Sequence, residues 1–488
     1  MQPGTRVAVI GAGPAGLTAA YILRKAGVNV DVFEADPIYV GGISRTVVHN
    51  GFRFDIGGHR FFSKSNEVEA FWSEILGKDM ITRDRLSRIF YDGKFYSYPL
   101  EASEVVRNLG KRESLLSIGS YLNKKLFPIP RPSNLEDWVT NKFGHRLYAK
   151  FFKSYTEKVW GVPCRDIAAD WAAQRIKGLS LTRAALAALW SPQPTKPSDD
   201  RSRVIKSLIG SFRYPRLGPG MMWEATAAGI RELGGRVILG VRVTSLTHPG
   251  PSQGWTLEIE GSGLRAAGLE SGLQNYDQVI CSAPLSWLVS AIRPGLQAEA
   301  LEAAMALKYR DFITVAVMIK TSTTFPDQWI YIHDPGIQAG RIQNFANWSP
   351  EMVPDPSVTC LGLEYFCFQG DTLWNMTDDA LIALASRELV SLGLVDCEMT
   401  LDGAVVRQPK AYPVYDENYK NHIKRIREAL ATVGEGLQAV GRNGTHKYNN
   451  QDHSMMTGML AAKNILSGKQ VYDPWNVNQD AEYIEETE

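Results

Sequence analysis

The alternation of apolar and polar residues at the N-terminus predicts a strand, a turn, a helix and a second strand. Arg6 to Ile10 is a short apolar run, and a glycine-rich stretch follows it. Ala15 to Ala26 places its apolar residues at helical spacing, and Asn29 to Glu34 is apolar again. Because a crossover helix joins strands that run parallel, this order predicts an α/β fold in which helices cover a parallel sheet.

Periodicity divides the rest of the chain into segments. Helical spacing dominates residues 66–204, where we expect a helical insertion, and its proline-rich stretch 191–200 is a candidate mobile lid. Strand patterns over residues 301–429 predict a mixed, largely antiparallel sheet that forms a substrate domain. The strand, glycine turn and helix return near the C-terminus. One discontinuous domain is therefore expected from residues 1–65, 205–300 and 430–470. Residues 471–488 are expected to be a C-terminal tail.

The composition excludes several classes of protein. Of the 488 residues, 44% are hydrophobic and 22% are charged, so neither a disordered chain nor a coiled coil is expected. The 53 Lys and Arg nearly balance the 52 Asp and Glu, which argues against a general nucleic-acid binder and against a polybasic membrane anchor. No apolar run is long enough to span a bilayer, so no membrane insertion is expected.

The number and spacing of the cysteines and histidines indicate the cellular compartment and whether a metal site is expected. The five cysteines are odd in number and form no Cys-x-x-Cys pair, so neither a disulfide framework nor a zinc ribbon fits. The histidines form no His-x-x-x-His pair, and no metal site is predicted. Free thiols suit a reducing cytosol, and the first apolar run is too short for a signal peptide. We therefore expect a cytoplasmic protein, whose oligomeric state the sequence does not indicate.

The glycine turn has the spacing of a dinucleotide site. Gly11 permits a tight turn, Gly13 lets a pyrophosphate approach the backbone, and Gly16 lets helix and strand pack closely. The N-terminus of the following helix favours phosphate through its dipole. Glu34 ends the second strand, where a carboxylate can accept a hydrogen bond from a ribose hydroxyl. The glycine spacing alone is weak evidence, but strand, helix and acidic residue all occur here in the required order.

A second glycine motif discriminates between cofactors. Gly41 to Thr46 follows the second strand closely, and its Gly42 and Arg45 can enclose the far side of the same pyrophosphate. This segment resembles the second glycine motif of amine-oxidase-type flavoproteins, although Val40 stands where those often carry arginine. The resemblance implies FAD, a Rossmann-like FAD-binding domain built from the discontinuous segments, and an adenine contact from the strand around Val243.

Further motifs resemble those of UDP-galactopyranose mutases, within a broader group often described as protoporphyrinogen-oxidase-like. The matching blocks are Phe54 to His59, Lys158 to Pro163, Gly340 to Ile342, Ala411 to Val414 and Gly441 to Ser454. They are spread over most of the chain, and the last block is the most specific. Arg60 to Ser65 departs from the mutase pattern, which carries an apolar pair there.

The mutase resemblance implies roles for individual residues. His59 is expected beside flavin N5, and Arg175 and Arg341 are expected to clamp the diphosphate, because planar guanidinium groups match phosphate oxygens. The further cofactor-binding residues are Gly58, Gly441, Arg442, Asp452 and Ser454. The further substrate-binding residues are Trp160, Tyr331, Tyr412, Tyr448 and Asn450.

Three functions stay open at this point. The first is a flavin-dependent nucleotide-sugar mutase that interconverts pyranose and furanose forms through a reduced-flavin N5–sugar adduct, with NAD(P)H only as a priming reductant. Its partner would be a nucleotide-diphosphate sugar. The alternative is an FAD-dependent oxidoreductase of the amine oxidase superfamily that transfers hydride from substrate to flavin, and the departures at Val40, Arg60 and Lys64 leave room for it. A non-catalytic flavin-binding protein is the third hypothesis.

Overall fold

A computed structural model describes residues 4–98, 100–169, 210–248, 250, 254–321, 324–396 and 399–478 of the chain. Two sequence predictions, the clamp residue Arg175 and the candidate lid at 191–200, lie outside these residues. The strands of the described part are β1 (Arg6–Ile10), β2 (Asn29–Phe33), β3 (Thr46–His49), β4 (Phe52–Asp55), β5 (Met80–Asp84), β6 (Ser87–Tyr91), β7 (Lys94–Ser97), β8 (Ser211–Pro215), β9 (Arg236–Ile238), β10 (Arg242–Thr247), β11 (Trp255–Glu260), β12 (Gly272–Tyr276), β13 (Gln278–Cys281), β14 (Ile292–Arg293), β15 (Tyr309–Ile319), β16 (Trp329–Ile332), β17 (Arg341–Asn344), β18 (Thr359–Cys367), β19 (Thr400–Pro413) and β20 (Leu437–Ala439).

Helices lie between these strands, and one group of them follows β7 without interruption. The α-helices of the described part are α1 (Pro14–Lys25), α2 (Asn66–Leu76), α3 (Ala102–Leu109), α4 (Lys111–Leu126), α5 (Leu135–Phe143), α6 (His145–Leu147), α7 (Ser154–Trp160), α8 (Gly220–Glu232), α9 (Leu285–Ala291), α10 (Ala298–Met305), α11 (Phe345–Trp348), α12 (Thr372–Asn375), α13 (Asp378–Ser391), α14 (Tyr419–Ala431), α15 (Gly441–Gly444) and α16 (Gln451–Ser467). A π-helical segment, Tyr148–Lys153, connects α6 to α7.

A five-stranded parallel sheet has the strand order β20-β13-β1-β2-β9. Its central strand β1 is buried on both faces, which explains its continuous apolar sequence. Val7 and Val9 pack in a cluster with α1, α8 and α16, whereas Ala8 and Ile10 pack on the opposite side, in the cluster that contains Leu257 of β11. The predicted α/β class is confirmed.

Two further sheets complete the core. β12-β11-β10-β14 form a four-stranded sheet, and β19-β15-β18-β17-β16-β6-β7 form a seven-stranded sheet in which every neighbouring pair except β16 and β6 is antiparallel. Every residue of β15 is buried because the sheet is covered on both faces. Val315 and Val317 pack in the cluster with α13, whereas Ala316 and Met318 pack in the cluster around Trp348.

Two stretches differ from the sequence expectation. Residues 80–97, expected inside the helical insertion, contain β5, β6 and β7. Charged residues on these partly exposed strands, such as Arg83 and Arg88, obscure the alternation that would have revealed them. The run from Val237 to Val243 carries an apolar residue at every second position, as a single strand would, but it is divided between β9 and β10, which belong to different sheets. Gly240 has a φ of 64° and turns the chain between them.

The first residues of the expected tail pack on the fold. Arg427 Nη2 lies 2.7 Å from Asp473 Oδ2, and Lys447 Nζ donates to the Val477 carbonyl at 3.2 Å. These contacts tie residues 473–477 to α14 and to the segment after α15. Residues 479–488 lie outside the described part.

Candidate active site

The two glycine motifs meet at the carboxyl end of β1. The Gly41 amide donates to the Ala12 carbonyl at 2.7 Å, and a Cβ on Gly42 would lie 3.6 Å from Gly13 Cα. Gly41 and Gly42 have φ angles of 96° and 55°, which glycine adopts without strain. Glu34 Oε2 accepts the Ala12 amide at 2.8 Å. Three separate parts of the sequence therefore form one loop surface.

The glycines of the first motif serve two different purposes. A Cβ on Gly16 would collide with the Gly11 carbonyl oxygen, and one on Gly11 would collide with the Ser282 hydroxyl. Both glycines are therefore required by the packing of the protein itself. A Cβ on Gly13 would meet no protein atom within 4 Å. Gly13 is also the N-cap of α1, which carries no side-chain cap, so its open position leaves room for a ligand phosphate.

Arg45 adds a donor without a partner to this surface. Its Nη1 donates to the Gly42 carbonyl and to Gln408 Oε1, both at 2.9 Å. Its Nε is buried and has no hydrogen-bond partner, and burial lowers the pKa of the guanidinium. A buried unpaired donor is costly unless an acceptor binds it. The open Gly13, the uncapped helix and this donor together fit the pyrophosphate of FAD.

The C-terminal glycine motif closes on the first motif. Gly441 has a φ of 78°, its amide donates to Thr457 Oγ1 at 2.8 Å, and a Cβ there would lie 3.1 Å from Ala15 Cβ. A Cβ on Gly458 would collide with the Ala15 carbonyl, so α16 and α1 pack with their backbones close together. The predicted residues Gly441 and Arg442 are thereby brought to the same end of the parallel sheet as Gly11 and Gly13.

The N-terminus of α16 carries three more of the predicted residues. Asn450 is its N-cap in a capping box, and the Asn450 amide donates to His453 Nδ1 at 3.3 Å. Asp452 and Ser454 are buried in its first turn. These side chains hold the start of α16, so that the positive end of its dipole is held in place beside the glycine loops.

His59 lies in a buried turn that two glycines create. Gly57 has a φ of 89°, and His59 Nε2 donates to the Ile56 carbonyl at 2.9 Å. Burial, with a smaller contribution from the charges of Arg442 and Arg341, lowers the pKa of His59 to about 4. His59 is therefore neutral near pH 7, and both arginines lie close enough to act on it.

Arg341 lies against the same turn and is paired with a residue that sequence reasoning missed. Arg341 Nε and Nη2 donate to Glu364 at 2.9 and 2.5 Å, and Gln343 Nε2 donates to the same carboxylate at 2.7 Å. Arg341 and Glu364 face each other across β17 and β18. Arg341 Nη1 points toward Gly58, since it lies 3.7 Å from the position of a Cβ there. A signal for Glu364 was present, because it is the one charged residue of β18.

Aromatic rings enclose the site on the side of β19 and α7. Tyr412 stacks on Tyr448 with ring centroids 5.3 Å apart, and Trp160 contacts both rings at 6.4 and 5.8 Å. Arg442 lies over both tyrosine rings at 5.2 and 5.1 Å and donates to the backbone carbonyls of Asn449 and Ala411. Its charge is thus held by carbonyls and π faces rather than by a carboxylate.

Tyr155 is a second residue that sequence reasoning missed. Its ring meets Tyr331 edge-on at 5.7 Å and stacks on His333 at 4.5 Å. Burial raises its pKa well above the usual value, and the charges of Arg341 and Glu364 act on it. Tyr331 faces Arg341 across β16 and β17, so the structure brings these side chains into one pocket.

The contacts of Val243, a predicted cofactor-binding residue, and of Lys158, the first residue of a block that resembles the mutases, lie within the protein. The Val243 side chain is buried in the core and pairs with Ile259 across β10 and β11. Lys158 donates to three backbone carbonyls, those of Ile332, Asp334 and Ala339, and burial lowers its pKa to about 8. Lys158 therefore positions the turn after β16, next to Tyr331.

The described part of the chain contains no candidate metal site and no candidate membrane span. No group of three or more His, Cys, Asp or Glu residues there is arranged to hold a metal ion. No helix there is both long enough and apolar enough to cross a membrane.

Comparison with known proteins gives a family and a fold. The family described as flavin containing amine oxidoreductase matches residues 14–407. Protoporphyrinogen oxidase 2 of Arabidopsis thaliana is 51% identical over 65 residues, which are 13% of this chain and 13% of that protein. The match thus spans a small part of that relative.

Two solved structures align over nearly the whole chain. A crystal structure of reduced UDP-galactopyranose mutase aligns with a TM-score of 0.81 at 22% identity, over 97% of this chain and 99% of that one. A protoporphyrinogen oxidase-like protein of Exiguobacterium sp. 255-15 aligns with a TM-score of 0.70 at 16% identity, over 96% of this chain and 100% of that one. At these identities the two alignments show the fold. The resemblance drawn from the sequence motifs is confirmed at this level.

Proposed function

This chain belongs to the flavin containing amine oxidoreductase family, and from that premise we propose that it is an FAD-dependent nucleotide-sugar mutase. The proposed reaction interconverts the pyranose and furanose forms of a sugar that stays attached to a nucleoside diphosphate. No net oxidation occurs, so NAD(P)H would serve only to reduce the flavin before the first turnover.

The observation that carries the proposal is the charge around His59. Arg341 and Arg442 both act on this histidine, and Glu364, the carboxylate beside them, is already bound by Arg341 and Gln343. The Arg341–Glu364 pair is neutral, and Arg442 adds a positive charge that backbone carbonyls hold in place. Such a pocket favours an anionic substrate and disfavours a cationic amine.

Each group of residues then has a role in the mutase reaction. Arg341 Nη1 donates to a diphosphate oxygen, and the tyrosines around it hold the phosphates and the sugar. The rings of Trp160, Tyr412 and Tyr448 exclude water. Neutral His59 offers Nδ1 as an acceptor, because Nε2 donates to the Ile56 carbonyl. When bound, reduced FAD would supply the nucleophilic chemistry of its N5 to the sugar.

A second candidate is an FAD-dependent oxidoreductase that transfers hydride from an anionic substrate to the flavin. Arg60, at a position where the chain departs from the mutase pattern, lies over the Trp329 ring at 5.4 Å and adds another cation near Tyr331. This second cation suits a substrate with two separated carboxylates, for example a tetrapyrrole. Such an enzyme would consume one electron acceptor for each product.

The decisive experiment separates isomerisation from net redox chemistry. The purified protein is reduced anaerobically with dithionite, mixed with UDP-, TDP- and GDP-sugars, and assayed for isomeric products by chromatography and mass spectrometry. A mutase forms product only with reduced flavin, and the flavin is still reduced afterwards. Oxidised flavin that is bleached by a substrate, with no isomerisation of any sugar, would instead establish the oxidoreductase.

A further inference from the structure

An apolar stripe runs along the outer face of α4 (Lys111–Leu126). Leu115, Ile118, Leu122 and Leu126 follow the spacing i, i+3, i+7 and i+11, which places them on one side of the helix. They are 70%, 51%, 52% and 73% exposed. Single exposed leucines are ordinary, but four in one stripe on a single helix form a contiguous apolar surface of the kind that marks an interaction site.

The orientation of α4 is the reverse of that of an ordinary surface helix. Its buried residues are Ser114 and Ser117, and Gly144 packs against the backbone at Tyr121 on the same inner face. The small inner side chains bring α4 close to α5 and α6, while the large apolar side chains point outward. Packing within the described part of the chain therefore does not account for the leucines.

Positive charge flanks the stripe. Residues 111–127 contain four basic residues and one acidic residue, Glu113. Glu113 is bound on the inner side by Arg146 at 2.8 Å and lies 3.8 Å from Lys150. By helical geometry Lys111 lies at the N-terminal end of the stripe, in line with the leucines, whereas Lys125 lies along one edge and Arg112 along the other. The near balance of charge over the whole chain, which argued against a polybasic anchor, therefore does not describe this surface.

We propose that the α4 apolar stripe docks this protein on the surface of an anionic lipid bilayer. A helix of this kind lies in the plane of the interface, with its leucines below the headgroups and its lysines and arginines against the phosphates. Phe127, the residue that follows the helix, is 69% exposed and adds an aromatic side chain next to the stripe.

A second copy of this chain fits the stripe less well than a lipid surface. In a two-fold contact the stripe of one copy would pack on the stripe of the other, so the charged ends of α4 would lie close to the charged ends of the other helix. Because basic residues lie at both ends, an antiparallel contact would bring Lys111 and Arg112 against Lys124 and Lys125. An anionic bilayer matches both the leucines and the charges.

The first test is flotation of the flavin-loaded full-length protein with vesicles. We expect binding to vesicles of equal parts phosphatidylcholine and phosphatidylglycerol, and weaker binding to pure phosphatidylcholine or at high salt. Leu115→Ser, Leu122→Ser and Leu126→Ser together should reduce binding at least about tenfold. Lys111→Gln and Lys125→Gln should each reduce it about fivefold.

A matched control replaces exposed apolar residues elsewhere. Leu273→Ser, Leu301→Ser and Met305→Ser remove side chains that are 69%, 42% and 69% exposed, and we expect them to leave vesicle binding unchanged. Bound flavin and the melting temperature confirm that each variant is folded. Binding that is equal in the two triple variants, or absent in the unaltered protein, would overturn the proposal.

A fluorescent probe distinguishes the possible occupants of the stripe. Gly119 is exposed beside the leucines with no atom near a Cβ, so Gly119→Cys can carry an environment-sensitive dye. Cys397, which lies outside the described residues, is first replaced by serine. A blue shift that appears only with anionic vesicles supports docking. A shift that grows with protein concentration alone would show a second copy, and a shift at every concentration would show another segment of the same chain. Either result would overturn the proposal.

Discussion

At the residue scale, the net charge of the candidate site depends on which groups bind each of its two arginines. Arg341 is held by Glu364 through two hydrogen bonds, so the pair is neutral and offers a directed donor at Nη1. Arg442 lies against the stacked rings of Tyr412 and Tyr448 and donates to two backbone carbonyls, so its charge is held by π faces and carbonyls. In the proposed site Arg341 would therefore orient the anionic substrate, and Arg442 would attract it.

Replacing Arg341 tests its place in the proposed diphosphate site. Arg341→Ala should weaken binding of UDP by about 2–5 kcal/mol, because it removes a buried charged donor. The affinity of Arg341→Lys for UDP should lie between those of the unaltered protein and Arg341→Ala, since lysine has the charge without the planar fork. Calorimetric titration with UDP measures both.

Two variants control for loss of folding. Adding Glu364→Gln to Arg341→Ala removes the carboxylate that would otherwise be buried unpaired. Arg236→Lys breaks a comparable bidentate pair, with Asp31, on the parallel sheet. A dissociation constant for UDP that is unchanged in Arg341→Ala would exclude Arg341 from the site.

Asp55 gives the protein a pH dependence of a definite sign. It is fully buried and accepts hydrogen bonds from Tyr214 at 2.5 Å and Thr46 at 3.0 Å, and burial raises its pKa from 3.8 to about 7. The folded protein thus binds more protons than the unfolded chain between these values. The Asp55 carboxyl therefore makes its full contribution to the free energy of unfolding below pH 4, and this contribution is lost as the pH rises through 7.

Asp55→Asn should remove that dependence. The difference in the free energy of unfolding between Asp55→Asn and the unaltered protein, followed through the melting temperature, should shift in favour of the variant by a few kcal/mol at most from pH 4 to pH 7 and stay constant above. Asp402→Asn is the control. Its carboxylate is near the surface and hydrogen bonds from Asn50 lower its pKa, so its effect should appear only at more acidic pH. A difference for Asp55→Asn that does not vary with pH would contradict the burial argument.

At the scale of elements, the turn between β1 and α1 contains glycines that are needed for two different reasons. Gly16 is required because helix and strand pack closely, and this demand exists without any ligand. Gly13 has open space above it, and only an approaching ligand would make a side chain there costly. The same sequence motif therefore contains one packing position and one binding position.

Alanine at the two glycines should give opposite outcomes. We expect Gly13→Ala to keep the thermal stability of the flavin-free protein while its affinity for FAD falls at least about tenfold. We expect Gly16→Ala to lower the stability of the flavin-free protein, because the new Cβ would collide with the Gly11 carbonyl. Calorimetry of both flavin-free variants and fluorescence titration with FAD measure this. Equal loss of stability in both would contradict the assignment.

On the scale of the whole molecule, burial predicts how the thiols react. Cys164, Cys281, Cys360 and Cys367 are all buried, and burial raises the pKa of Cys164, Cys281 and Cys367 to about 12. A thiol that is both inaccessible and protonated does not react. With a chromogenic disulfide reagent we expect at most one reactive thiol in the native protein, from Cys397, and five after denaturation. Two or more fast thiols in the native protein would contradict the packing described above.

Much of the cofactor region was predictable because its determinants are local. Gly11 to Gly16 and Gly41 to Thr46 need unusual backbone angles or close approaches, and such needs are visible in contiguous residues. Their joining into one surface follows from the parallel order of β1 and β2. The strands at residues 80–97 were missed because their charged residues obscure the alternation. Pairing with distant strands, of β5 with β8 and of β6 with β16, supplies the order that the local pattern lacks.

The sequence by itself determined the α/β class, the two glycine motifs and the histidine turn, because each depends on residues that are neighbours in the chain. Only the tertiary structure decided that Arg341 is neutralised by Glu364, that Arg442 lies against the stacked rings of Tyr412 and Tyr448, and that the leucines of α4 face outward. Those outcomes depend on strand register and on which helix face finds a partner. Both are set by the summed free energy of contacts between distant residues, which no local pattern contains.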